Sequence, residues 1–417
     1  MIAQNPDVIV IGGGPAGSTV AALVAEQGYN VQVFEREQFP RFHIGESLIP
    51  ETYWVLKRLG MLPKLRRSHF IKKYSVQFIN EHGKLSEPFY FWDHKPHECS
   101  QTWQVRRSEF DQLMLENARE KGAVVTHGVR VLEVLLEGQK ASGVRVQLED
   151  GTQREIHAQV VVDASGQSSL IMDRLKLRQW DPLLKKAAVW TYVQEAQRDI
   201  GKNEGATLVI QTQGKAGWFW YIPLHDDIIS VGVVAAYEHL FRAGEKRSYE
   251  QIWQHEVDRC PGLVDRIAPG TRVTDFFAAK EYSYKSKQAA GDGWVLVGDA
   301  YGFLDPLYSS GVLLALTSGQ RAADAILEGF AKGDWSAAQL GGWQTEYDKG
   351  MERMRRLVVE FYNGFSFGRF VKMHPEYKGL LTDLLIGDLF KDELDDVFRT
   401  IDEVKAADAL TSAGGIG

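Results

Sequence analysis

The segment from Val8 to Glu35 constrains the fold of this chain more than any other. Val8-Ile9-Val10-Ile11 is a short β-branched run of the kind a parallel sheet buries on both faces. It enters Gly12-Gly13-Gly14-Pro15-Ala16-Gly17, where Gly12, Gly14 and Gly17 satisfy G-x-G-x-x-G. Ser18 to Gln27 reads as a helix, and Val31-Gln32-Val33-Phe34 as a second strand ending in Glu35. The first glycine makes the tight turn, the second lets a pyrophosphate approach the backbone, and the third lets helix and strand pack closely. The helix N-terminus then offers free N–H groups to the phosphates. Glu35 stands near the spacing of about 20 residues at which an acid takes a ribose hydroxyl. A unit of this kind binds a dinucleotide. The uncharged stretch from Val8 to Ala25 is also long enough to suggest a membrane span. Its glycines and Pro15 would break such a helix in its first half, so we read no membrane span there.

The chain has 417 residues, which at about 150 per domain predicts two or three domains. A hydrophobic fraction of 44% and a charged fraction of 25% exclude a disordered chain or a fibrous repeat. The net charge of −7 argues against a chain-wide nucleic-acid footprint. Two cysteines, Cys99 and Cys260, cannot build a disulfide framework, so the expected location is the reducing cytoplasm. The opening MIAQNPD lacks the basic n-region of a secretory signal.

Two later segments specify the nucleotide. Val160-Val161-Val162-Asp163-Ala164-Ser165-Gly166 is a strand entering a small-residue turn. Trp294-Val295-Leu296-Val297-Gly298-Asp299-Ala300 is a strand ending in Gly-Asp ahead of a helical stretch. With Arg107 in VRRSEFDQLML, these segments resemble the discontinuous FAD-binding pattern of the flavoprotein monooxygenase superfamily. That resemblance implies cofactor contacts from Gly12, Gly14, Gly17, Glu35, Arg107 and Asp299. A second glycine fingerprint for a nicotinamide is absent. The implied fold is α/β, a discontinuous Rossmann-like FAD-binding domain with an antiparallel β-sheet substrate domain and a C-terminal helical region. Residues 1–73, 104–185 and 285–335 are assigned to the first, 74–103 with 186–284 to the second, and 336–417 to the third. Strand-like runs at Thr207–Thr212, Trp218–Pro223 and Ile228–Ala235 mark the substrate sheet, and 3.6-period apolar spacing marks 310–330, 334–362 and 377–405 as helical. The closing Ser-Ala-Gly-Gly-Ile-Gly reads as a frayed tail.

Three segments carry chemistry. Trp218-Phe219-Trp220-Tyr221-Ile222-Pro223 fits W-x-W-x-I-P; an aromatic strand alone is ordinary core, but this one resembles the motif of flavin-dependent halogenases. There Trp218, Trp220 and Pro223 would wall the flavin from the organic substrate. Phe303-Leu304-Asp305-Pro306-Leu307-Tyr308-Ser309-Ser310-Gly311 resembles the halogenase turn after the Gly-Asp strand, with Pro306 beside the cofactor and a halide on the amides of Ser310 and Gly311. A helix start of this kind suits an anion. In Phe70-Ile71-Lys72-Lys73-Tyr74-Ser75, Lys73 fits the position of the halogenase lysine, with Ser75 replacing the usual glycine. Strand alternation lets only one of Lys72 and Lys73 face inward, and both remain open at this level. Pro40 to Pro50 resembles the family loop beside the isoalloxazine, which places Gly45, Glu46 and Ser47 near the cofactor. Asp93, His94, His97 and Cys99 match no standard zinc spacing, so no metal is assigned.

The resemblance therefore implies an FADH2-dependent halogenase, with reduced FAD supplied by a separate flavin reductase and a halide ion as co-substrate. Chloride or bromide would be converted to hypohalous acid, pass Trp218 and Trp220 to Lys73, and halogenate an electron-rich aromatic. The helical end resembles the compact subgroup acting on carrier-protein-tethered pyrrole-like acyl groups. A net charge of −7 does not itself favour an acidic carrier, so a local basic patch would have to serve. The alternatives are an aromatic hydroxylase and a flavin-dependent isoprenoid reductase.

Overall fold

In the computed structural model, which describes residues 5–413 apart from Ala243, Val8–Ile11 lies inside a six-stranded sheet. Its order is Ala290–Gly291, Trp294–Leu296, Val160–Asp163, Val8–Ile11, Val31–Phe34, Val124–Thr126. Five strands run parallel and the Ala290–Gly291 edge is antiparallel. All four residues of Val8–Ile11 are buried, as a strand covered on both faces requires. Burial of each such Val or Ile contributes about 1.5–3 kcal/mol. The helix after the glycine turn starts at Pro15, three residues earlier than the pattern predicts, and ends at Ala25. Proline opens a helix at no cost because its missing N–H would be unpaired there. This helix is buried along its whole length, packed against Gly311–Lys332 and Arg107–Glu120.

A nine-stranded sheet forms the second layer. Its main path runs Gly302–Phe303, Phe277–Ser286, Arg178–Gln194, Ile228–Ala236, Gly217–Pro223, Thr207–Gln211, Ser75–Ile79, Phe89–Tyr90. The three predicted strand runs are present with ends moved by a residue or so. The sheet is antiparallel except where Thr207–Gln211 pairs parallel with Ser75–Ile79. Ile71–Lys73 does not join it: it pairs antiparallel with Thr102–Gln104 as a separate ribbon.

The chain divides into two compact units, Met1–Gln344 and Thr345–Gly417. The second is helical, with Lys378–Ile386 stopped by Gly387 at φ 95° and a last helix over Leu394–Ala413. Within it, buried Arg353 donates to Asp395 Oδ1 at 2.7 Å and to the Leu389 carbonyl at 2.9 Å. The tail read as frayed lies outside the described residues from position 414 onward. Among the described residues, no helix is long and apolar enough to cross a membrane.

Candidate active site

The carboxyl ends of Val8–Ile11, Val31–Phe34 and Val160–Asp163 open on a cavity of about 400 Å³. Ligands of doubly wound sheets bind at this edge. Gly12 and Gly14 line it, with the first turn of the Pro15–Ala25 helix. Gly12 has φ +100°, and a Cβ there would meet the Ala164 carbonyl oxygen at 2.5 Å. Around Gly14 a Cβ would meet only Arg41 Nη2, at 3.5 Å, so the backbone is bare for an incoming phosphate. Gly17 does not line the cavity; a Cβ there would meet the Gly12 carbonyl oxygen at 2.1 Å, so it serves the helix–strand packing. Glu35 lines the cavity, and its carboxylate accepts the N–H groups of Gly13 at 2.8 Å and Glu37 at 2.9 Å. Bare glycine backbone, a helix N-terminus and an oriented acid together fit a dinucleotide.

Opposite stand Gly45, Glu46, Ser47, Arg107, Asp299 and Pro306, all lining the same cavity. Arg107 is buried; it donates to Asp111 at 2.7 and 2.9 Å and to the Ile44 carbonyl at 2.7 Å, which fixes the Gly45–Ser47 loop. Burial works to raise the Asp111 carboxyl, but the Arg107 guanidinium, with Arg41, overrides it and holds the group below its ordinary range. Burial raises Asp299 to about 6 against the pull of Arg107. Glu46 is 2% exposed, and burial pushes its carboxyl up to about 7. Its Oε1 accepts from the Tyr192 hydroxyl at 2.7 Å, while Oε2 has no hydrogen-bond partner among the described residues.

The aromatic strand forms one wall. Trp218, Trp220 and Ile222 line the cavity, whereas Phe219 and Tyr221 point into the core on the other side of the sheet. Pro223 ends this strand, paired with Ile229, and is not among the cavity residues. Trp220 Nε1 donates to Ser230 Oγ at 3.0 Å. Its ring lies over Gly232, where a Cβ would meet Trp220 Cζ2 and Trp190 Cβ at 2.4 Å.

The two lysines part company. Lys72 is exposed, and Lys73 is 0% exposed. Lys73 Nζ donates to Ser47 Oγ at 2.7 Å and to the Leu48 carbonyl at 3.0 Å, and stands 5.6 Å from the centre of the Phe91 ring. Ser47 Oγ lies 2.9 Å from Thr207 Oγ1, which accepts from Gln104 Nε2 at 2.8 Å. Ser47 and Thr207 line the cavity but Lys73 does not, so the amine sits one hydroxyl behind the wall. Burial lowers its pKa to about 7. Gly205 keeps the lysine strand in place: a Cβ there would meet the Lys72 carbonyl oxygen at 2.0 Å.

At the far end, Gly311 opens a helix running to Lys332 and lines the cavity with nothing within 4 Å of a Cβ position. Ser310, expected beside the halide, is 1% exposed and is not among the cavity residues, whereas Ser309, at φ 56°, is. The His97 ring accepts the Cys99 N–H at 3.0 Å as a local cap. Among the described residues, no three His, Cys, Asp or Glu side chains stand together as metal ligands. Sequence reasoning missed Tyr192, Gln104, Thr207, Gly205 and Gly232. None carries a local pattern; each matters through a partner distant in the chain.

A doubly wound sheet with a glycine cradle, facing a second sheet that carries a tryptophan wall, defines a dinucleotide-binding flavoprotein oxidoreductase. The chain belongs to the tryptophan halogenase family, whose model matches residues 7–103 and 93–365. It is 32% identical over 423 residues to the 1H-pyrrole-2-carbonyl-peptidyl-carrier-protein chlorinase of Pseudomonas fluorescens Pf-5, covering 96% of this chain and 93% of that one. It is 30% identical over 334 residues to the corresponding brominase of Pseudoalteromonas luteoviolacea, covering 80% of each. The solved structure of the flavin-dependent brominase Bmp2 superposes with a TM-score of 0.86 at 29% identity, over 97% of this chain and 100% of that one. The chain is thus a flavin-dependent halogenase, and its family implies FAD. The hydroxylase and isoprenoid reductase alternatives give way to halogenation.

Proposed function

We propose that this enzyme halogenates an electron-rich, pyrrole-like acyl group tethered to a carrier protein. It would use chloride or bromide and FADH2 from a separate flavin reductase, in the cytoplasm, where the free thiols of Cys99 and Cys260 stay reduced. One observation carries the reading: a fully buried lysine amine lies one hydroxyl behind a cavity walled by Trp218 and Trp220. The tether is supported by the names of two relatives, both of which act on pyrrole-carbonyl carrier substrates.

When bound, reduced FAD with O2 supplies the oxidising equivalent that turns halide into hypohalous acid. Gly12, Gly14 and the helix start at Pro15 hold the pyrophosphate, and Glu35 holds a ribose. Gly45, Glu46, Arg107, Asp299 and Pro306 orient the flavin. At the positive end of the Gly311–Lys332 helix, Gly311, which lines the cavity, offers its N–H to the halide, and Ser310, off the cavity, shapes the turn ahead of it. Trp218 and Trp220 exclude water and separate the two reactants, and Pro223 closes their strand. Lys73 receives the electrophilic halogen. As a neutral amine it donates two N–H bonds, to Ser47 and Leu48, which leaves its lone pair as the free site. A pKa lowered to about 7 makes that neutral form available at physiological pH. Held there as hypohalous acid hydrogen-bonded to the amine, or as a haloamine formed when the lone pair takes the halogen and the hydroxide leaves with one amine proton as water, the halogen has a fixed position relative to the ring it attacks.

The test supplies FAD, a flavin reductase, NADH, O2 and bromide with pyrrole-2-carbonyl thioester on a peptidyl carrier protein. Brominated product by mass is expected, and hydroxylated product without halogen overturns the reading. Lys73→Ala abolishes halogenation while flavin oxidation continues; loss in Lys72→Ala alone would transfer the role to Lys72.

A further inference from the structure

Between Glu51 and Glu81 the chain carries seven Lys and Arg and no Asp or Glu, in a protein whose net charge is −7. Lys73 is the one of these turned inside; Lys57, Arg58, Arg66, Arg67 and Lys72 are exposed. Three cations of the stretch are paired: Arg58 with Asp324 at 2.8 Å, Lys64 with Glu120 at 2.5 Å and Arg66 with Glu98 at 2.9 Å. Lys57, Arg67 and Lys72 have no carboxylate within ion-pair distance among the described residues. The Glu98 carboxylate also accepts from Tyr53 at 3.0 Å, so both helices of the segment and the 95–100 loop form one continuous face.

An apolar anchor stands in this field of charge. Trp54 is 41% exposed, with Lys57 Nζ and Lys95 Nζ each 5.8 Å from its ring, and it stacks on His97 at 5.1 Å. Trp92 is 58% exposed and follows Phe91, the residue facing the Lys73 amine. An exposed tryptophan flanked by two lysines, as Trp54 is, matches interface anatomy, in which aromatic anchors supply affinity and surrounding charge supplies steering and register. The face also reaches the strand that carries the buried Lys73, with Lys72 on that strand's outer side.

We infer that this face, centred on Trp54 with Lys57, Arg67 and Lys72, docks an acidic carrier protein and so delivers the tethered substrate to Lys73. The inference rests on the tethered-substrate reading above. An acidic protein fits better than a nucleic acid because the attractive patch is small and the rest of this acidic chain repels an extended polyanion.

The double variant Lys57→Glu, Arg67→Glu tests it, with both residues on the surface and outside the catalytic machinery. Assayed with pyrrole-2-carbonyl thioester on an acidic peptidyl carrier protein, it raises KM about tenfold or more while kcat at saturation and flavin oxidation keep their wild-type values. Salt raised from about 0.05 M to about 0.5 M weakens the wild type more than the variant. Reversing carboxylates on the carrier restores part of the variant's KM. An unchanged KM in the variant, where the wild-type enzyme does halogenate the tethered pyrrole, overturns the docking face alone. A wild type that halogenates free aromatics and no tethered one overturns the tether reading instead. Tighter binding of single-stranded DNA or anionic vesicles than of the carrier would give the face to another occupant and overturn the inference.

Discussion

Replacing Lys73 by methionine tests the buried amine through stability, independently of turnover. Burial lowers the Lys73 pKa from 10.5 to about 7, which corresponds to about 5 kcal/mol against the charged form at neutral pH. In the unfolded chain the amine titrates near 10.5, so between pH 7 and 10.5 the unfolded state binds more protons than the folded one. Folding stability from this group therefore rises with pH across that window, by about 1.4 kcal/mol per pH unit. Methionine keeps the length of the side chain and has no proton to lose. It leaves Ser47 Oγ and the Leu48 carbonyl without a donor, a cost of about 1–3 kcal/mol that does not vary with pH. The pH-dependent part thus separates cleanly. Urea unfolding of the apo protein at pH 7.5 and 9.5, read by tryptophan fluorescence, gives the stability gap between wild type and Lys73→Met. That gap moves by about 2.5 kcal/mol in favour of the wild type at the higher pH. A gap equal at both pH values would show that Lys73 is charged and solvated, and would refute the neutral-amine argument.

Two further outcomes follow from the same geometry. Gly232→Ala forces the Trp220 ring off its seat, since a Cβ would stand 2.4 Å from it. It costs about 1–3 kcal/mol by thermal melt and lowers halogenated product per NADH consumed; an unchanged ratio would mean that the ring position is immaterial. Glu46 has a folded pKa raised from 4.5 to about 7 by burial, so its contribution to stability is present below pH 4.5 and is lost as pH rises to 7. Glu46→Gln removes that penalty and stabilises the apo protein by about 3 kcal/mol above pH 7, with no gain below pH 4.5. An equal gain at both ends of the range would place the carboxylate in solvent.

What the sequence determined by itself is the chemistry that local sterics dictate. The glycine turn with its strand and helix, and the Gly-Asp strand end, are decided within a few residues, because backbone hydrogen bonds and the lack of a Cβ act over that range. The aromatic motif was legible for the same reason, since alternate residues of a strand share a face and Trp218 and Trp220 had to point one way together. Family resemblance added the order of the segments, and with it the cofactor. Tertiary structure decided the rest. Strand alternation treats Lys72 and Lys73 alike, and only packing of the Ile71–Lys73 ribbon beneath the Gly45–Leu48 loop turns Lys73 inward. Tyr192 meets Glu46 across 146 residues, and Thr207 meets Ser47 across 160, separations at which no local pattern carries information. Gly17, Pro223 and Ser310 belong to their motifs and yet stand off the cavity, because a motif specifies backbone shape while the surrounding sheets decide which side chains reach the ligand. The same is true of charge: a chain of net −7 hides a basic face, since composition sums over a surface that only folding divides into sides.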